Sequence, residues 1–169
     1  KNIHDLKGKK VAFGDFGSTS YHLAPMQLVK EGGLDPKTDI QPINISKHVG
    51  WESLKRKNVD ALGLKHDMFL SLREKEEHPE MFRVIARGPD LPNDVLVAGN
   101  HVSEDVRKRV VAGFETRGEE LMQAMLQGVR NAKYKDMRFT SDVADADYDY
   151  VRQLYVTLGY PEFAEKMAG

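Results

Sequence analysis

Three consecutive hydroxyl residues, Ser18-Thr19-Ser20, follow a short apolar run, Val11-Ala12-Phe13-Gly14, and a turn-forming Asp15-Phe16-Gly17. A buried strand ending in such a turn delivers the next helix with its amino terminus beyond the strand's carboxyl end. Unpaired amides and the positive end of the helix dipole meet there. Hydroxyls beside those amides add donors, and the set suits an oxyanion with several acceptor oxygens, such as a phosphoryl group. The plainer reading of the same triplet is one helix-capping hydroxyl. No P-loop lysine accompanies it, so nucleotide hydrolysis has no support.

The other chemistry-bearing residues form weaker patterns. His22, His48 and His66 fall near the ends of expected strands, but their spacing matches no zinc signature, and no metal is expected. Asp94, after Pro92-Asn93, and the run Asp142, Asp145, Asp147 and Asp149 lack the glycine and distal glutamate of an EF-hand. Most of that run reads as loop and helix-start charge, which the dipole favours. Tyr148, Tyr150 and Tyr155 could stack on a ligand or pack in a core, and Trp51 reads as an anchor at a helix start. No serine, histidine and aspartate combine with a nucleophile elbow, so hydrolase chemistry is unsupported. No catalytic residue and no cofactor is expected.

The elements that must hold the hydroxyl triplet can be read from periodicity. Residues 11–14, 39–45 and 59–64 read as strands, with an amphipathic helix over 21–31 and a shorter one over 49–57 between them. Pro25 lies in the first turns of the former, where a missing amide costs little, and Gly32-Gly33 ends it. Strand, helix, strand, helix, strand points to a parallel sheet with covering helices, an α/β lobe. A helix over 66–77, strands over 82–86 and 95–98, and helices over 103–114, 119–129 and 148–158 complete the expectation. A composition shift at residues 89–94 marks a boundary, giving 1–94 as one lobe and 95–169 as a hinge strand with helices, too few strands for a sheet of their own. No internal repeat or low-complexity segment is present.

The chain has 169 residues with 25 Lys+Arg against 26 Asp+Glu, a formal charge of −1, and no cysteine. That balance, well mixed along the chain, argues against a nucleic-acid binder or a polybasic membrane patch. No apolar run approaches the ~20 residues of a spanning helix. Absence of cysteine removes disulfides, thiolate catalysis and cysteine-based metal sites. Lys1 to Leu6 lacks the layout of a secretory signal, which leaves a removed signal, a cytosolic protein or a piece of a longer chain.

Asp5-Leu6-Lys7-Gly8-Lys9-Lys10-Val11-Ala12-Phe13-Gly14 followed by Gly17-Ser18-Thr19-Ser20 resembles the second-lobe opening of the phosphate/phosphite/phosphonate substrate-binding proteins of ABC transporters, the PhnD-like group. Gly33-Leu34-Asp35-Pro36, Asn58-Val59-Asp60-Ala61, Phe82-Arg83-Val84-Ile85-Ala86-Arg87, Leu91-Pro92-Asn93-Asp94 and Asp145 to Arg152 agree in the same order. The resemblance implies a type 2 periplasmic-binding-protein fold, here one complete lobe plus the carboxy-terminal portion of the other. It implies a non-enzymatic, periplasmic component of an importer, closing on a phosphorus oxyanion and meeting a membrane permease. Ser18, Thr19 and Ser20 would grip the phosphoryl oxygens, His48 would reach the ligand, and Asp94 would contact the amino group of an aminophosphonate. Tyr21 stands where the group commonly has glycine, and the basic pair Lys65-His66 argues against an ammonium-bearing ligand. The group's earlier first-lobe segment has no counterpart here, so exposed helix faces beyond Ser103 and a homodimer are expected. The rival reading is a ligand-sensing domain of the same fold in a signalling receptor such as a sensor histidine kinase.

Overall fold

A computed structural model describes residues 2–166. They divide into two compact units, Lys1–Pro92 with Tyr148–Gly169, and Asn93–Asp147.

The first unit is built on a parallel sheet of three strands. β1 (Lys10–Phe13) lies between β2 (Gln41–Asn44) and β3 (Ala61–Leu62), with Phe13 opposite Asn44 and Ala12 opposite Leu62. Val11, Ala12 and Phe13 are all buried, as a central parallel strand covered on both faces requires. β2 is exposed throughout, and its Pro42 is tolerable because an edge strand has one side without a ladder. The amides of Gln41 and Ile45 bond Lys9 and Phe13 carbonyls, and those of Asp60 and Gly63 bond Lys10 and Ala12 carbonyls, so β1 is held from both sides.

A π-helical turn over Thr19–Leu23 runs directly into α1 (Ala24–Glu31). After β2 comes α2 (Lys47–Lys55), and after β3 comes α3 (His66–Arg73). Leu23, Met26 and Val29 pack with Val11 and Phe13 of β1, with Leu34 and Ile40, and with Leu154 and Leu158. The last two come from α5 (Asp149–Leu158), which packs on the π turn and on α1 and is followed by α6 (Pro161–Lys166). Gly159, at φ 84°, closes α5 in the left-handed conformation that glycine adopts without penalty. Lys37 Nζ, from the α1–β2 connection, donates to the Leu158 carbonyl at 2.6 Å, a cation on the negative end of a helix. Trp51 is an anchor in the packing sense. Its ring is buried and stacks on Phe82 at 4.4 Å, while its indole N–H donates to Glu76 Oε1 at 2.7 Å. Tyr150 and Tyr155 also pack against the core.

The expected strand over 82–86 does not form. Its apolar residues are used singly, Phe82 on Trp51 and Ile85 against the core, and a strand exists only where a neighbouring edge offers a ladder.

In the second unit the expected strand over 95–98 is likewise absent, and Leu96 and Val97 are 73% and 80% exposed. The two helices expected over 103–114 and 119–129 are present and abut as α4 (Glu104–Leu126), capped by Ser103 Oγ on the Val106 amide. The break survives as a kink, since Arg117 leaves helical geometry at φ −125°, ψ 19° beside Gly118. Phe114 packs on Phe139 with ring centres 4.8 Å apart, tying α4 to the chain that returns after it.

Candidate functional site

Because all three strands are parallel, their carboxyl ends share one edge of the sheet, and each leads into a helix amino terminus there: the π turn at Thr19, α2 at Lys47 and α3 at His66. Three positive dipole ends on one edge favour a negative ligand.

The junction after β1 is the most tightly determined. Pro25 has no amide, so the Tyr21 carbonyl, four residues earlier, loses the partner a regular helix would give it. The Gly14 amide takes that carbonyl at 2.8 Å, binding the end of β1 to the helix. Pro25 therefore shapes the junction, and its missing amide costs little because the carbonyl it frees is answered by Gly14. A Cβ on Gly14 would stand 2.5 Å from Tyr21 Cβ, so only glycine permits this approach. Asn44 Nδ2, at the end of β2, donates to the Gly14 carbonyl at 2.8 Å and so secures the next peptide of the same residue. Gly17 turns the chain at φ 82°.

Ser18 then caps the helix. Its Oγ accepts from the Tyr21 amide at 3.4 Å, its carbonyl accepts from both His22 and Leu23 amides at 2.9 Å, and its own amide donates to Asp15. The Leu23 bond is the five-residue step that makes this turn a π helix, a form that recurs at functional sites. Among the described residues, the Thr19 and Ser20 amides and hydroxyls have no hydrogen-bond partner, and both residues are half-buried. The junction thus leaves two amides and two alcohols available at one helical tip, with the Ser18 hydroxyl proton beside them.

His48 lies in the first turn of α2, exposed, on the same sheet edge. Asp94 belongs to the second unit, where its carboxylate accepts from the Tyr134 hydroxyl and lies 3.5 Å from Lys133 Nζ. Lys65 pairs with Asp67 at 3.4 Å at the start of α3. Tyr21 keeps its phenol proton firmly, because burial and then the Asp67 charge push its pKa up. Among the described residues no three His, Asp or Glu side chains come together as a metal-holding group. Of the acidic run, Asp147 accepts the Ala144 amide and Asp149 pairs with Arg152 at 2.7 Å, the loop and helix-start roles expected.

Gly14, His22, Asn44 and Pro25 shape the junction, and reading for donors alone does not find them. Their signal is available only in part: a proline four residues after Tyr21 frees a carbonyl, but nothing local says which amide will claim it.

A family model described as ABC transporter, phosphonate, periplasmic substrate-binding protein matches residues 1–143 of this chain. The chain belongs to this family. That family is one of substrate-binding proteins of ABC transporters and not an enzyme family. Membership implies a small-molecule ligand, an ABC permease as partner and an extracytoplasmic location. The match covers the whole strand–turn–helix junction and all of the second unit up to Val143; the likeness at Asp145 to Arg152 lies beyond it. Among the described residues no helix is long and apolar enough to cross a membrane.

Proposed function

We propose that this chain holds a phosphorus oxyanion (phosphate, phosphite or a phosphonate) non-covalently at the tip formed by Ser18, Thr19 and Ser20, with His48 reaching the same anion from α2. The observation that carries the reading is the pair of Thr19 and Ser20 amides left without a partner at a helix start on the sheet's carboxyl edge. Neutral donors aligned with a dipole suit a tetrahedral anion, because charge-assisted hydrogen bonds form without a buried counter-charge.

In this reading the fold is of the type 2 periplasmic-binding kind, with residues 1–92 and the returning 148–169 forming the anion-binding lobe and 93–147 part of its partner lobe, which moves the boundary expected at 94/95. Closure of the lobes retains the ligand, and the closed form is presented to the permease. Calorimetry with phosphate, phosphite, methylphosphonate and 2-aminoethylphosphonate tests it. Saturable binding of at least one at a single site is expected, whereas heats matching those of chloride for all four would overturn it. Asp94 enters as the acceptor for an amino group. Asp94→Asn should therefore weaken 2-aminoethylphosphonate several-fold and leave methylphosphonate unchanged, and equal effects on both would remove Asp94 from the site.

We also propose that the second unit brings two copies together. Val106, Val110 and Val111 of α4 are exposed on one stretch of helix, and Leu96 and Val97 add to the apolar surface of the same unit. Exposed apolar groups in such number favour association. Light scattering should give twice the monomer mass at micromolar concentration, with Val110→Glu/Val111→Glu shifting it to monomer; a wild-type monomer would refute the dimer.

A further inference from the structure

We infer that His22 is a positioning residue for the anion-binding tip, setting the 16–17 and 18–19 peptides that lead into Thr19 by clamping one with its side chain and the other with its amide. This rests on the reading of residues 18–20 as the anion site. His22 is 2% exposed, with its ring against Phe13 edge-on at 6.0 Å and against Phe16 at 4.9 Å. Its Nδ1 accepts the Gly17 amide at 3.1 Å, and its own amide donates to the Ser18 carbonyl at 2.9 Å. One residue therefore fixes both the 16–17 and the 18–19 peptide units, and these determine where the Thr19 and Ser20 amides point.

The bond also assigns the protonation of the ring. Accepting a backbone N–H requires an unprotonated Nδ1, so the proton of the neutral ring sits on Nε2. Burial lowers the His22 pKa, which keeps the ring in that form at neutral pH. The ring packs against the aromatic rings of Phe13 and Phe16. The ring is thus a fixed acceptor in an apolar setting. Without it Gly17, already at φ 82°, would present an unanswered amide, and the turn would reorganise to satisfy it.

Two substitutions separate this role from simple core packing. His22→Phe keeps an aromatic ring and removes the acceptor. His22→Asn removes the ring but carries Oδ1 where Nδ1 was. Methylphosphonate and inorganic phosphate serve as probes in calorimetry, with thermal unfolding measured in parallel on the full chain. The expected order is opposite in the two measurements. His22→Phe should bind about tenfold more weakly, from loss of one hydrogen bond that orients the donors, with its melting temperature nearly kept. His22→Asn should bind within about threefold of wild type while melting lower, because ring contacts are lost. Binding that tracks melting temperature in both variants would overturn the inference. Hydrogen exchange at the Gly17 amide gives an arm that needs no ligand. Exchange should accelerate at least tenfold in His22→Phe and not in His22→Asn, and equal protection in all three proteins would also overturn the inference. Should wild type bind neither probe, the anion reading falls, while Gly17 exchange still decides whether His22 holds the turn.

Discussion

Thr19→Pro should weaken methylphosphonate binding by about 100-fold or more while leaving the melting temperature within a few degrees of wild type. The substitution removes two of the proposed donors, the amide and the hydroxyl, and neither has a hydrogen-bond partner among the described residues. Nothing internal is lost. Thr19 is the first residue of the helical stretch, where proline is well tolerated, and Ser18 before it sits at φ −64°, ψ 120°, the extended conformation that a following proline requires. The Thr19 carbonyl still accepts from the Ala24 amide. A hydrogen bond to a charged group contributes about 1.5–3 kcal/mol. Losing two therefore amounts to roughly 3 kcal/mol or more, and each ~1.4 kcal/mol is tenfold in affinity. Thr19→Ser, which keeps both donors, should bind like wild type. Unchanged affinity in a well-folded Thr19→Pro protein would move the anion elsewhere.

Gly14→Ala should lower the melting temperature by several degrees, up to about 12 °C. The added methyl would meet Tyr21 Cβ at 2.5 Å and Cγ at 3.3 Å. The Cβ is fixed to the helix backbone, so no swing of the Tyr21 ring relieves the shorter contact. The end of β1 and the π turn must separate, stretching the Gly14 amide bond to the Tyr21 carbonyl and disturbing the buried Phe13 and Leu23 around it. Overpacking of this kind costs up to about 3 kcal/mol, and about 2–4 °C of melting temperature is lost per kcal/mol in a chain of this size. Tyr21→Gly removes the atom that is struck, so the double variant Gly14→Ala/Tyr21→Gly should melt higher than the sum of the two single effects predicts. Strict additivity, or a Gly14→Ala protein as stable as wild type, would show that the contact is not what holds the junction.

How much of this was legible beforehand depends on whether the deciding interaction was local. The run Val11 to Phe13, the turn glycine at 17, the capping Ser18 and the apolar spacing over 23–29 all act within a few residues of themselves, and the parallel sheet edge with a helix tip beyond it follows from them. Membership in the phosphonate-binding family was legible for the same reason, since ordered short motifs survive in the chain itself. Residues 82–86 and 95–98 have strand composition and form no strand, because a strand is a relation between two segments and composition describes only one. The break at Arg117, where two helices abut in α4, was legible because a helix stop next to Gly118 is written locally; how nearly the chain resumes in line was not.

The three-dimensional arrangement alone decided which amide answers the carbonyl freed by Pro25, that His22 is buried and accepts from Gly17, and that Leu154 and Leu158 complete a core begun at Leu6. The reason is physical: periodicity and capping are governed by neighbours along the chain. Satisfaction of buried polar groups, and closure of an apolar core, depend instead on which distant groups arrive within about 3 Å or in van der Waals contact.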